Sequence, residues 1–116
     1  MNYNRVIIGG RLTRDPEIRY APSGTPIANF GMAVNRKFKQ GEEQKEEVLF
    51  IDTVAFGKTA ELCGQYLSKG SGALIEGRLQ MRSFETKEGQ KVTKYEIVID
   101  NVQFMDKPKE QQGGQY

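Results

Sequence analysis

The chain of 116 residues carries 37% hydrophobic and 28% charged residues with a net charge of +2, a composition typical of one soluble globular domain. No apolar run approaches the ~20 residues of a membrane span, and the N-terminus leads straight into a strand pattern, so we expect neither a signal nor a transit peptide. With one cysteine and no histidine, the usual metal ligand and catalytic base are missing; we expect a cytoplasmic protein with no cofactor, no metal and no enzymatic activity.

The first predicted strand covers residues 6–12, where Gly9 and Gly10 indicate a bulge or a sharp coil of the sheet. Residues 15–26 contain three of the four prolines and are predicted to be a loop. A second strand is predicted over residues 27–36, because apolar and polar residues alternate there as they do on a strand with one buried face.

An acidic, glycine-containing segment at residues 38–47 is predicted to join the second strand to a third, at 48–56. Within it, residues 40–47 hold four glutamates and one lysine, so the rest of the chain carries a charge of +5. The third strand has apolar residues on both faces, which indicates that one face packs against the core. The other face would meet a ligand or another subunit.

A short helix is predicted over residues 59–67, with Thr59 as its N-cap and Glu61 in its first turn. Its buried side is predicted to consist of Ala60, Cys63 and Leu67, with Leu62 and Tyr66 beside them. A lone cysteine without a neighbouring base is best explained as part of the core.

Two further strands are predicted at 73–84 and 92–102. A short helix between the third and fourth of five strands is the arrangement of the OB-fold, a five-stranded Greek-key barrel. The predicted fold class is therefore all-β, with a β-grasp or another α+β sheet as the alternative. We expect residues 1–105 to form this domain and residues 106–116, rich in Gln, Gly and Lys, to form a disordered tail.

Phenylalanines set among basic residues are the main clue to function. Three of them alternate onto the same strand faces as basic residues, and a fourth directly follows an Arg-Lys pair. Flat rings can stack on unpaired bases while cations neutralise phosphates, and single-stranded nucleic acid offers both together. These rings are Phe38, Phe50, Phe56 and Phe84. For Phe56, burial in the core or in a subunit interface is an equal alternative, whereas Phe30 and Phe104 are expected in the core.

Five segments of the chain resemble the bacterial single-stranded DNA-binding proteins (SSB), in the family's order and spacing. They are NRVIIGGRL (4–12), DPEIRY (15–20), VAFGK (54–58), YLSKGS (66–71) and IEGRL (75–79). The resemblance spans residues 1 to about 105. It implies an OB-fold that assembles as a homotetramer and binds single-stranded DNA without sequence preference in replication, recombination and repair.

The resemblance also implies which residues contact DNA. The four phenylalanines above align with the family's base-stacking positions, where relatives often carry Trp at three of the four. Because this chain has no Trp, stacking should persist with less energy per base. Lys58, Lys69 and Arg82 align with basic residues of the family's DNA path, and Arg5 lies near the corresponding N-terminal one. Lys58 and Lys69 have a structural alternative, at the start of the helix and near its C-terminal dipole.

The chain departs from the family pattern at two places. Asp52 stands where a basic residue is common, so it either repels a phosphate near Phe50 or pairs with a basic neighbour such as Arg78 or Arg82. Family members typically end in an acidic tip with a Pro-Phe pair, which recruits replication and repair proteins, and that tip is absent from this chain. Its last residues are QQGGQY, and we expect truncation rather than a natural short form.

Two other functions remain open from the sequence. The first is an OB-fold protein-interaction adaptor of the replication or primosome machinery, with its aromatic face covered by a partner. The second is a metal-dependent nuclease that would use Asp15 and Glu17. For that loop, an ion-pair and turn network that includes Arg19 is the simpler interpretation.

Overall fold

The computed structural model describes residues 1–105, which form six strands and one helix. The predicted tail at residues 106–116 lies outside the described residues. The strands are β1 (Val6–Leu12), β2 (Glu17–Tyr20), β3 (Pro26–Gln40), β4 (Glu43–Phe56), β5 (Gly72–Glu85) and β6 (Lys91–Phe104), and the helix α1 (Gly57–Tyr66) follows β4.

The strands close into a five-stranded barrel. They are ordered β1-β5-β6-β4-β3-β2, and an additional pairing of β1 with β3 closes the ring, leaving β2 on the outer edge of β3. All pairings are antiparallel except a short parallel contact between β4 and β6. The predicted OB-fold is therefore confirmed, and its helix precedes the same strand as expected. The extra strand β2 shifts the count, so that the helix lies between β4 and β5.

The core fills the barrel and continues beneath α1. Its largest fully buried side chains include Phe30, Leu12, Met32 and Ile75, each of which stabilises the fold by about 1.5 to 3 kcal/mol. Beneath the helix, Ala60, Cys63 and Leu67 are buried as predicted, whereas Tyr66, also predicted on the buried side, is 41% exposed. A buried hydroxyl is also satisfied, since Thr53 Oγ1 donates to the carbonyl oxygen of Phe30 at 2.8 Å.

The glycine pair in β1 marks the closure of the barrel rather than a bulge. The register of β1 with β5 is unbroken from Val6 to Arg11, while Arg11 and Leu12 also pair with β3. A Cβ on Gly10 would lie 2.3 Å from the carbonyl oxygen of Ala33. Only a glycine lets the two strands approach this closely. The irregularity that the structure does contain lies at Glu76/Gly77 in the pairing of β5 with β6.

The predicted connection at residues 38–47 is wrong, because β3 and β4 continue through it as a hairpin. Their register is continuous to the pair Gln40↔Glu43, and Gly41 adopts a φ of 66° in the two-residue turn, as the first turn position of a II′ hairpin requires. Opposite charges face each other across the strands at Arg36↔Glu47 and Lys37↔Glu46. These cross-strand pairs explain why an acidic segment forms a strand here.

The predicted loop at residues 15–26 contains the short strand β2. Its backbone pairs with the edge of β3 from Glu17↔Asn29 to Tyr20↔Pro26. Pro16 and Pro22 flank β2, and Pro26 is the first residue of β3, a position at which a strand tolerates proline. The prolines therefore indicated where regular structure is interrupted, but because of them the short strand β2 was not predicted.

The helix begins two residues earlier than predicted. Its N-cap is Phe56, which makes no side-chain capping hydrogen bond, and no acidic residue lies in the first turn. The N-cap role for Thr59 and the first-turn position of Glu61 were therefore wrong. The chain turns sharply from β4 into α1 at Gly57, with a φ of 64°, and this backbone turn replaces the expected side-chain cap.

Phe104 was predicted in the core but is 36% exposed. It lies at the last position of β6, where its ring packs on Tyr66 of α1 with centroids 5.3 Å apart. The ring is covered from one side by the end of the helix and open on the other, because the strand ends there.

Candidate nucleic-acid interface

Strand register brings three of the four predicted stacking residues to one surface. Side chains alternate along a strand, so Phe50 and Phe56 of β4 point away from the side of Thr53 and the core. Asp52, on the same side of β4, pairs with Glu96 of β6, and Lys94, on that side of β6, pairs with Arg82 of β5. Phe84 points the same way as Arg82, so it lies on the same side of the sheet as Phe50 and Phe56. We call this side of β3, β4, β5 and β6 the outer face.

The rings on the outer face are open to solvent. Phe50 is 68% exposed, Phe56 48% and Phe84 43%, so none of them belongs to the core. The Arg82 guanidinium carbon lies 5.8 Å from the centroid of the Phe84 ring, within the range of a cation–π contact. The arrangement offers π-faces with a cation beside one of them.

Phe38 lies elsewhere. In the register of the β3–β4 hairpin it faces Lys45, on the opposite side of the sheet from Phe50 and Phe56. The Arg36 guanidinium covers its half-buried ring, with the guanidinium carbon 4.6 Å from the centroid. Arg36 is held in turn by Glu47, with Nη1 and Oε1 2.6 Å apart. The structure does not bring Phe38 together with the other three rings.

The predicted basic residues other than Arg82 are distributed around the barrel. Arg5 forms an ion pair with Glu76 of β5. Lys58 is exposed in the first turn of α1, and its Nζ lies 4.0 Å from Glu61 Oε1. Lys69 follows the helix, and its backbone N–H donates to Asp15 Oδ1 at 2.7 Å. Each of these ammonium or guanidinium groups is exposed.

Acidic residues accompany the cations of the outer face. Arg82 Nε lies 3.4 Å from Glu96 Oε1, and Arg78 Nη1 lies 4.0 Å from Asp100 Oδ1. Asp52 was expected either to stand alone or to pair with one of these arginines. Its carboxylate instead lies 3.0 Å from Lys94 Nζ and 3.7 Å from Arg14 Nη1. Asp52 thus pairs with basic neighbours, but the two arginines named as examples were wrong, because the predicted strands had no known register.

All seven arginines of residues 1–105 are held by a polar partner. Six form ion pairs with carboxylates, and the seventh, Arg11, donates to Asn35. In the loop considered for catalysis, Arg19 Nη2 lies 3.9 Å from Glu17 Oε1. Since Asp15 accepts its hydrogen bond from Lys69 instead, the predicted network exists in two separate parts.

A cavity of about 360 Å³ opens on the outer face. It is lined, among others, by Tyr20, Asn29, Phe56, Gln80, Arg82 and Glu96. The sequence analysis missed Tyr20, because it predicted a loop at this position and could not assign the side chain to one side of the sheet. It missed Glu96 as well, although alternation from Arg82 through the neighbouring strand could have found it once the register was known.

We also searched residues 1–105 for a metal site, a membrane-spanning helix and a reactive thiol. No set of three or more His, Cys, Asp or Glu side chains in this range is placed to hold a metal ion. Nor does this range contain a helix of the length and apolarity needed to cross a membrane. Burial raises the pKa of the Cys63 thiol to about 11, which keeps it protonated and unreactive at neutral pH.

Comparison with known proteins relates the chain to proteins that bind DNA. The model of the single-strand binding protein family matches residues 3–105. The single-stranded DNA-binding protein of Wolinella succinogenes is 49% identical over 113 residues, which are 97% of this chain and 70% of that protein. The protein of the same name from Helicobacter pylori is 51% identical over 90% of this chain and 59% of its own length.

A third relative, single-stranded DNA-binding protein 1 of Staphylococcus aureus, is 50% identical over 89% of this chain and 65% of its own length. The chain thus spans between 59% and 70% of the length of these curated relatives. Among solved structures, the chain is similar to the Plasmodium falciparum SSB complex with ssDNA. Their TM-score is 0.85 at 24% identity, over 91% of this chain and 97% of that chain, a likeness in fold.

The family model and the relatives agree with the architecture described above. The match covers the whole barrel from before β1 to the end of β6, and the relatives reach about half identity over at least 89% of the chain. The chain belongs to the single-strand binding protein family.

Proposed function

We propose that the protein binds and protects single-stranded DNA without sequence preference, as a binding protein rather than an enzyme. The observation that carries the proposal is the outer face, where Phe50, Phe56 and Phe84 are exposed among cations. Exposed aromatic rings that lie among cations on one face are typical of a surface that binds single-stranded nucleic acid. Unpaired bases stack on such rings for about 1 to 3 kcal/mol each. The names of the relatives agree with this function.

In the proposed complex, bases stack on the three rings of the outer face and Arg82 neutralises a phosphate beside Phe84. Phe38 would contact the DNA on a separate surface, where the DNA crosses the β3–β4 hairpin. Arg5, Lys58 and Lys69 would guide the backbone around the barrel. Their exposure supports this role, since each can reach a phosphate without leaving a buried charge behind.

We also propose that the protein acts as a homotetramer. Residues 6–10 of β1 pair with β5 on one side, and among residues 1–105 no strand pairs with their other edge. Ile7, Leu49, Met81 and Tyr95 are exposed as well. An unpaired edge and exposed apolar side chains together favour association of identical chains. Sedimentation showing a monomer at micromolar concentration would contradict this assembly.

The cellular role that we propose is in replication, recombination and repair, in the cytoplasm with the nucleoid. In longer members of the family an acidic C-terminal tip would recruit replication and repair proteins. The chain described here would supply the DNA-binding module for that role, since its barrel is what it shares with the relatives.

Titration with fluorescently labelled oligo(dT) at several salt concentrations tests the proposal. Phe84→Ala should weaken binding by about 1 to 3 kcal/mol with little change in the salt dependence. Arg82→Ala should lower the slope of log K against log salt by about 0.7, the value for one single-strand phosphate contact. Phe104→Ala removes a slightly less exposed ring that packs on α1 instead, and it should leave affinity unchanged.

Two results would count against the proposal. Absence of salt-sensitive binding by the wild-type protein would favour the protein-interaction adaptor. If Phe84→Ala unfolded the protein while Phe104→Ala weakened DNA binding, the outer face would be the wrong surface.

A further inference from the structure

The cavity of the outer face contains a buried carboxylate. Glu96 is only 7% exposed, and within residues 1–105 its one ion pair is with Arg82, whose side chain is more than half exposed. A carboxylate at this depth loses much of its hydration and needs a donor to replace it. Glu96 is therefore supported by a single partner that can move.

Two amides in the same cavity have unused hydrogen-bonding capacity. Asn29 and Gln80 are half-buried, and within residues 1–105 neither side chain hydrogen-bonds to another residue. Exposed rings of Tyr20 and Phe56 line the cavity beside them. Polar side chains that converge in a cavity next to aromatic rings form the usual surroundings of a bound planar ligand.

We propose that this cavity binds one nucleobase by its edge, and that Glu96 selects a base with an exocyclic amino group. The inference rests on the proposed binding of single-stranded DNA and adds a base preference at one position. A carboxylate only accepts hydrogen bonds, so it pairs with the amino group of cytosine, adenine or guanine. Thymine would present carbonyl oxygens on both sides of its single N–H, and these repel a carboxylate.

The Arg82–Glu96 ion pair couples base recognition to phosphate binding. If Arg82 leaves Glu96 to contact a phosphate, the buried carboxylate loses its donor. An unpaired buried charge is strongly unfavourable. An amino group from the base supplies the missing donor. DNA that carries such a base therefore separates Arg82 from Glu96 with the smallest loss of free energy. The preference is small and local, because the other stacking contacts are indifferent to sequence.

Affinity for oligo(dC) relative to oligo(dT) tests the inference. Glu96→Gln keeps the shape of the side chain but replaces one acceptor oxygen with a donor. It should reduce the dC/dT affinity ratio by about threefold to tenfold, the difference between a charge-assisted and a neutral hydrogen bond. Asp52→Asn is the matched control, since Asp52 is a paired carboxylate of the same face that does not line this cavity. It should change both affinities by the same factor.

A chemical variant of the DNA tests the wild-type protein directly. An oligonucleotide of 2-pyrimidinone, which is cytosine without its amino group, should bind the wild-type protein about threefold to tenfold more weakly than oligo(dC). The difference between the two strands should be smaller for Glu96→Gln, whose remaining carbonyl oxygen accepts only a neutral hydrogen bond from the amino group. Equal wild-type affinity for these two strands would overturn the inference even if Glu96→Gln failed to fold.

The outcomes separate this inference from the function on which it rests. Tight binding of all three strands by the wild-type protein, with no preference, would leave single-strand binding intact and refute the base-edge site. Failure of the wild-type protein to bind any of them would refute both.

Discussion

Asp52 lies between Lys94 and Arg14 and holds both cations on the outer face. Its carboxylate is about one-third exposed, at 3.0 Å from Lys94 Nζ and 3.7 Å from Arg14 Nη1. Partly exposed ion pairs of this kind contribute little to folding stability, about 0 to 1 kcal/mol. Their larger effect is on the local field, because one carboxylate reduces the attraction of two cations for a phosphate beside Phe50.

Asp52→Asn should therefore strengthen binding of oligo(dT), by about twofold to fivefold at low salt. It should also steepen the salt dependence, because two cations become free to replace counterions. Titration at two salt concentrations measures both effects. Weaker binding with an unchanged slope would mean that Asp52 positions Lys94 or Arg14 as a structural partner.

Cys63 makes stability depend on pH at the alkaline end. Burial raises the pKa of its thiol from 9.0 to about 11, so between these values the thiol ionises in the unfolded chain and stays protonated in the folded one. Stability is therefore lost as pH rises from about 9 to 11. At pH 10.5 the loss should be about 2 kcal/mol.

Urea unfolding at pH 8 and pH 10.5 checks this effect. Lysines and tyrosines titrate in the same range, so the informative quantity is the difference between the wild-type protein and Cys63→Ala. The advantage of the wild-type protein should shrink by about 2 kcal/mol at the higher pH. The same pH dependence in both proteins would contradict the assignment.

At the scale of elements, β1 closes the barrel through Gly10 while the neighbouring Gly9 has more room. A Cβ on Gly10 would meet the backbone of Ala33 at 2.3 Å, whereas a Cβ on Gly9 would meet only the end of the Leu74 side chain at 3.2 Å. Backbone atoms cannot move without opening the β1–β3 pairing, but the Leu74 side chain can rotate. The two glycines therefore have different roles.

Gly10→Ala should destabilise the protein by more than about 3 kcal/mol, and Gly9→Ala by less than about 1 kcal/mol. Thermal or urea unfolding of the two variants measures the difference. Since the substitutions are identical and adjacent, propensity effects cancel between them. Equal losses would show that barrel closure does not depend on the close approach at Gly10.

The sequence predicted the barrel because alternation and the position of the helix are local signals. It could not predict how far β3 and β4 extend, since the strand content of 38–47 depends on which charges face each other, such as Arg36 and Glu47. The outer-face rings were predicted for the same reason as the barrel, by alternation. The partners of Asp52 and Arg82 were not, because contacts between β4, β5 and β6 depend on register.

At the scale of the whole molecule, the DNA-binding surface that we propose lies entirely within residues 1–105. Residues 106–116 contain two acidic and two basic residues, so their net charge is zero, and one aromatic residue, Tyr116. A segment without net charge adds little to the attraction of a polyanion. The barrel alone should therefore account for the affinity.

Deletion of residues 106–116 should change the affinity for oligo(dT) by less than about threefold, or ~0.6 kcal/mol. Parallel titrations of the full chain and the shortened chain under one salt condition provide the comparison. A tenfold loss on deletion would show that part of the binding surface has been assigned to the wrong region.

The carboxylates beside the arginines have a kinetic consequence for the proposed complex. Each phosphate that leaves an arginine such as Arg82 is replaced at once by the neighbouring acidic group, here Glu96. An internal competitor held this close acts at a high effective concentration. Contacts can then open one at a time without exposing a bare cation, so a bound strand can shift along the protein stepwise instead of dissociating completely.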